Sequence, residues 1–274
     1  MMVHIVLGEG VTGTIRYLMG EGNDRETGER RTLAEGAAPR AELLGGQNFG
    51  FAVADAADLD LARRMMEWSA RPENQAGRAK TCVKDCLHMS LSWEKGQEPS
   101  EEEMIEAAQS LLKSLGMEGA RAVFVAHSDT THRHMHVAAS RIDPATRKTF
   151  SDFEINLKSQ AWGLHWERDH GQRSQNENRQ KQHKILDAIE ARDGAAIVAA
   201  LTERVPTFTA RELDKALRLG IEDKRELAKF KGEILAHQNV IGLRLGGRCG
   251  RARYRRAGGE GCGRAHCRRD ACRI

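Results

Sequence analysis

The sequence predicts an α+β fold: a central antiparallel sheet with helices packed on one face, then a small helical segment and a disordered tail. Three observations lead there. Residues 87–93 alternate strictly, with Leu87, Met89, Leu91 and Trp93 on one side and His88, Ser90 and Ser92 on the other, the period of a half-buried strand. Residues 122–126 and 137–142 are apolar, partly β-branched runs on either side of a short polar stretch, the pattern of a hairpin. The segments between such runs carry apolar residues at helical spacing, so helices cover a sheet.

In chain order, residues 3–7 read as a first strand. Gly8, Gly10 and Gly13 follow as G-x-G-x-x-G before a short helix that contains Arg16, Tyr17 and Leu18. A dinucleotide site would need a second apolar strand ending in an acid about 20 residues on. Residues 21–42 are instead charged and rich in Gly and Ala, so the glycines are read as permitting close backbone approach. Residues 42–52 read as a glycine-bearing connection, and residues 56–68 as a helix. Ser100 and Glu103 form a capping box that opens a helix through Met104, Ile105, Ala108, Leu111, Leu112 and Leu115, ended by Gly116. A helix with Leu157, Trp162 and Trp166 closes a first domain at residues 1–171. Polar residues 172–183 read as a linker. Residues 184–244 read as a small helical region, with one helix over 185–204 and another begun by Thr209 and Glu212.

Residues 245–274 are a different text, since 24 of the 30 are Arg, Gly, Ala or Cys. Arg, Gly and Ala are written with G- and C-rich codons, so the tail is expected to be disordered and to come from an out-of-frame read of a longer gene. A zinc module from Cys262, His266, Cys267 and Cys272 would lack a flanking core. The tail also distorts the totals. The net charge is +4, but the tail alone carries +7, which leaves the preceding residues at −3. Nucleic-acid contact must then come from a local patch. Cys82 and Cys86, spaced C-x3-C with no second pair, read as reduced, partly buried thiols. No apolar run approaches the roughly 20 residues of a membrane span. The opening residues lack the basic leader and long apolar core of a signal peptide, so a cytoplasmic location without membrane contact is expected.

The chemistry concentrates in residues 127–136, which hold four of the eleven histidines. In a strand, His134 and His136 share a face while Met135 turns to the core. A hairpin turn brings His127 beside them. Three imidazoles on one sheet face, with coordination positions open, make a catalytic divalent-metal site rather than a closed structural one. Asp129 is placed to orient a ligand or to act as a base. His132 falls in the turn and reads as solvated. Tyr17 stands out by elimination, because the only other tyrosine, Tyr254, lies in the tail. An amphipathic core aromatic is the ordinary reading of such a tyrosine, but beside such a metal a phenol has a specific chemical meaning, attack on a phosphodiester to give a covalent phosphotyrosine.

Three stretches carry a family resemblance: the glycine-rich loop with Arg16-Tyr17-Leu18; His88-Met89-Ser90-Leu91-Ser92; and His127-x-Asp129-x4-His134-x-His136. Residues 8–171 resemble the relaxase/mobilisation nucleases of conjugative and mobilisable plasmids. The resemblance implies an HUH-type nicking fold with Tyr17 as nucleophile and His127, His134 and His136 as ligands of Mg2+ or Mn2+. It further implies that Ser92 helps hold the DNA strand and that Asp129 supports a histidine. The implied substrate is single-stranded origin-of-transfer DNA, and the implied partners are relaxosome accessory and coupling proteins. Alternatives are a plain metal-dependent phosphodiester hydrolase and an inactive DNA-binding remnant. Residues 184–244 resemble the segment leading into the helicase part of Ti-plasmid-type transfer proteins. No G-x-x-x-x-G-K-[ST] phosphate loop is present, so the chain is expected to nick but not to unwind.

Overall fold

Strictly alternating strands with one greasy side must stack that side on something. In the computed structural model, which describes residues 1–20, 41–76, 81–128, 133–243 and 253–256, that requirement builds a five-stranded antiparallel sheet. Its strands are β1 (Met2–Gly8), β2 (Ala41–Gln47), β3 (Cys86–Ser92), β4 (Ala122–His127) and β5 (His134–Ser140), in the order β1-β3-β5-β4-β2. The α+β class and the central antiparallel sheet are as expected.

One sheet face is the main core. Leu87, Met89 and Leu91 of β3, Phe124 of β4, and Met135 and Val137 of β5 bury against helices α3 (Glu101–Ser114) and α4 (Ile155–Asp169). α3 opens with the expected Ser100/Glu103 capping box. α4 brings in Trp162 and Trp166, and Trp162 Nε1 donates to Ser110 Oγ at 3.0 Å, which ties the two helices.

The other face is not left wholly open. Helices α1 (Val11–Leu18) and α2 (Ala56–Ala70) cover part of it. Val11, Ile15 and Leu18 pack with Leu59, Ala62 and Met66 onto Cys86, Val123, Val125 and Ala138. Helices thus lie on both faces, α3 and α4 on the expected one and α1 and α2 on the histidine face. The alternation in β4 and β5 explains this: Val123, Val125 and Ala138 are apolar on the histidine side too and need a cover. Arg63 of α2 reaches Thr12 Oγ1 of α1 at 3.1 Å while paired to Asp60 and Glu67, which fixes one helix against the other.

β2 corrects the expectation of a loop over residues 42–52. Gly45 sits at φ 137 where the register with β4 shifts between Leu43 and Gly45. A Cβ at Gly46 would meet the Ala122 carbonyl oxygen at 2.9 Å. The glycines that hide the strand pattern are what let this edge strand bulge and approach its neighbour.

The described chain divides into two compact units, Met1–Arg173 and Ser174–Ile274. In the second, residues 177–183, expected as linker, already belong to α5 (Glu177–Glu190), capped by Asn176. Their polarity is that of a solvated helix face, and His183 is buried among them. The single helix expected over 185–204 breaks in two. Arg192 takes φ 55 and Asp193 caps α6 (Gly194–Leu201) by accepting from the Ala196 N–H. β6 (Phe208–Thr209), α7 (Ala210–Leu217), α8 (Lys224–Ala236), β7 (Val240–Leu243) and β8 (Arg253–Arg256) follow. The three strands make an antiparallel sheet in the order β6-β8-β7. Within the tail expected to be disordered, Arg253–Arg256 therefore pair as a strand; its other residues, with the cysteine-rich end, lie outside the described residues.

Candidate functional site

The site grows from the polar side of β3, β4 and β5. Antiparallel register puts His127 opposite His134 and His134 opposite Ser92, with His136 opposite Val125 and Ser90 one rung away. Directly opposed residues share a face, so His127, His134, His136, Ser92, Ser90 and His88 all stand on the side away from the main core. The alternation read from residues 87–93 is what places Ser92 there.

The three histidines converge. Their rings are 4.4 Å (His127–His136), 5.2 Å (His134–His136) and 5.3 Å (His127–His134) apart between centroids. One ligand nitrogen from each lies within 4.8 Å of the others. Nitrogens about 2.1 Å from a common ion stand roughly 3.0–3.4 Å apart, so small side-chain rotations close the set on a cation. Tautomer chemistry also fits. His127 Nε2 contacts the Leu18 carbonyl at 2.6 Å. A carbonyl only accepts, so Nε2 keeps its proton and Nδ1 carries the lone pair a metal needs. The donor set, three imidazoles and no thiol, suits a divalent ion of intermediate hardness.

His88 is the residue whose part the sequence did not reveal. Its Nε2 lies 3.0 Å from His136 Nδ1. When His136 donates across that contact, its own Nε2 is left with the lone pair, the outer-shell arrangement that fixes a ligating histidine. Burial, with His4 and His127 nearby as further causes, pushes the His88 imidazole below the usual histidine range. It is therefore neutral near pH 7 and able to accept that bond. The signal was present in the sequence, since His88 shares the strand face of Ser92, but a histidine two rungs away does not announce its partner.

α1 carries Tyr17 to this place. Its buried stripe of Val11, Ile15 and Leu18 faces the sheet, which turns Arg16 and Tyr17 outward. Tyr17 is 49% exposed, and its ring meets His88 edge-on with centroids 6.1 Å apart. Tyr17 is thus linked through His88 to His136, and the next residue, Leu18, contacts His127 through its carbonyl. The helix start is pinned as well. Gly10 takes φ 81, a left-handed conformation suited to glycine, and its N–H donates to Asp85 Oδ1 at 2.8 Å. Asp129 and His132 lie outside the described residues.

Cys86, at the far end of β3, takes no part. Burial pushes its thiol up to about 11, so it stays protonated and inert at neutral pH. Among the described residues no helix is long and apolar enough to cross a membrane.

With that geometry in view, the comparisons with known proteins agree. Residues 50–194, more than half of the chain, match the relaxase family, MobA/VirD2-like, nuclease domain. The chain belongs to this family. The matched stretch includes His88, Ser92 and the three clustered histidines; α1 with Tyr17 precedes it. Protein MobA of Acidithiobacillus ferrooxidans is 35% identical over 74 residues, which is 27% of this chain and 17% of that protein. The chain thus aligns with less than a fifth of this relative's length. No solved structure matches it.

Proposed function

We propose that this relaxase-family chain nicks one DNA strand at a plasmid transfer origin by transesterification, and so initiates mobilisation. The observation that carries the reading is the convergence of His127, His134 and His136 on a sheet face beside the end of α1, whose exposed Tyr17 lies against His88. A divalent cation held by the three imidazoles would neutralise the oxygens of the scissile phosphate. Tyr17 Oη forms the new bond to phosphorus and the P–O3′ bond breaks, which leaves a 5′-phosphotyrosine and a free 3′ hydroxyl. The phenol must lose its proton to attack. Asp129 or a water accepts that proton, and the departing oxygen takes one from solvent. Ser92, opposite His134 in the sheet register, holds the strand beside the reacting phosphate. Attack by the 3′ hydroxyl on the ester reverses the sequence and reseals the strand. The chain works in the cytoplasm on single-stranded origin DNA, with accessory and coupling proteins as partners.

The test is an SDS-stable adduct with a single-stranded origin oligonucleotide in the presence of Mn2+. The wild-type chain should form it, EDTA should prevent it, and Tyr17→Phe should abolish it. Cleavage by Tyr17→Phe at the wild-type rate would replace this mechanism with hydrolysis by a bound water. Binding without any cleavage would make the chain a DNA-binding remnant.

A further inference from the structure

The second unit contains a motif that nicking does not use. A helix, α7, leads through residues 218–223 into a second helix, α8, and then into the strands β7 and β8. β6, just before α7, pairs with β8, so the small sheet is ordered β6-β8-β7. A helix-turn-helix with an attached hairpin is a construction that presents its second helix to a DNA groove. The turn is held tightly, since a Cβ at Gly220 would come within 3.0 Å of Leu186 and 3.1 Å of Ile189 on α5. Capping at both helix starts fixes them further: Thr209 and Glu212 make a capping box on α7, and Asp223 accepts from the Glu226 N–H on α8.

The two sides of α8 differ sharply. Leu227, Phe230 and Ile234 are buried. Arg225, Ala228, Lys229, Gly232 and Ala236, spaced i, i+3, i+4, i+7 and i+11, are exposed. That stripe is basic at its start and small along its length, so a groove wall or phosphate row can approach the helix backbone. Of the acids on the helix, Glu226 is held in an ion pair with Arg192, and Glu233 stands one turn beyond Lys229, beside the same surface. Of the other basic side chains on α8, Lys224 is exposed at its first position and the half-buried Lys231 is tied to Asp214 at 3.0 Å. A helix meant for a protein groove would show large apolar anchors at such a spacing, and none of the exposed large hydrophobics among the described residues lies on α8. The paired strands add Arg253 and Arg256, both exposed on β8, with Arg253 also donating to Thr207 Oγ1 at 3.0 Å.

We propose that the second unit is a duplex-DNA-binding module, with α8 as the helix that enters the major groove and Arg225 and Lys229 as its phosphate or base-edge contacts. Such a module would hold the double-stranded flank of a site while the first unit handles a single strand. The argument stands on the topology and the α8 surface and does not depend on the nicking chemistry.

The experiment uses the full chain and a random-sequence DNA duplex roughly three helical turns long, read by fluorescence anisotropy across a salt series. Arg225→Glu/Lys229→Glu should weaken duplex binding about tenfold or more and make the salt dependence shallower by about two contacts. Lys184→Glu, an exposed lysine on α5, is the control for bulk charge and should change affinity by less than about twofold. Cleavage of a single-stranded oligonucleotide should be the same for all three proteins, which separates failure here from failure of the nicking mechanism. Unchanged duplex affinity in the double variant overturns the proposal. So does an equal loss in Lys184→Glu, or an equal loss of single-stranded binding in the double variant.

Discussion

The two faces of the central sheet are made from the same strands and have opposite duties. On one side Leu87, Met89, Leu91, Met135 and Val137 are sealed beneath α3 and α4. On the other, one residue along each strand, stand His88, Ser92, His134 and His136. The larger core lies on the first side; on the second, where α1 and α2 cover only part of the face, the uncovered stretch is free to spend polar side chains on chemistry because they owe little to either core. The lesson is that sequence neighbours such as Met135 and His136 should fail in different ways.

The largest contrast comes from Met135→Asp. An unpaired carboxylate in a fully buried position costs several kcal/mol, comparable with the whole stability of a domain, so this variant should be unfolded by circular dichroism. His134→Ala or His136→Ala should instead abolish cleavage while the melting temperature moves only a few degrees, within what about 1 kcal/mol produces. A large drop in melting temperature for both histidine variants would erase the distinction between the faces. Next, His88→Ala should lower Mn2+ affinity about 10- to 100-fold, measured by calorimetry, with the fold intact and His88→Gln recovering part of the loss. Unaltered Mn2+ binding in His88→Ala would reduce its contact with His136 to packing. Ser92→Ala is smaller still, a several-fold weakening of single-strand capture with stability unchanged within about 0.5 kcal/mol. The smallest effect concerns thiols. Cys86, whose pKa is raised to about 11 by burial, should resist iodoacetamide at pH 8 while the partly exposed Cys82 reacts. Equal labelling of both would show that the end of β3 opens readily.

Much of this contrast was legible in the residues because strand period and helix period leave different marks. The alternation over residues 87–93 gave β3 and both of its faces, and Ser100 with Glu103 gave the start of α3. What escaped did so for identifiable reasons. β2 was hidden by Gly45 and Gly46, which have no side chains to show a pattern. The start of α5 was hidden because a solvated helix face looks like a linker until His183 and Ile185 are seen to be buried. β6 is two residues long, and β8 lies in an Arg-rich stretch whose composition hides its pairing. The three histidines could be placed on one face from spacing alone. That His88 would touch His136, and that the Leu18 carbonyl would meet His127, are facts of strand order and helix docking, which spacing does not encode.

The strand order also says something about assembly in time. β1 pairs with β3 and β2 with β4, and these two pairs share no ladder until β5 enters between them. A chain emerging from the ribosome therefore holds two disconnected half-sheets until residues 134–140 arrive, and that closing strand carries two of the three clustered histidines. The contact that completes the site, His127 to Leu18, spans 109 positions of sequence, the kind of long-range closure that folds slowly. A chain that has not yet reached residue 136 lacks the full cluster, so the proposed site comes into being only with the closing strand. In a denaturant titration the loss of cleavage and the loss of the sheet should follow one curve.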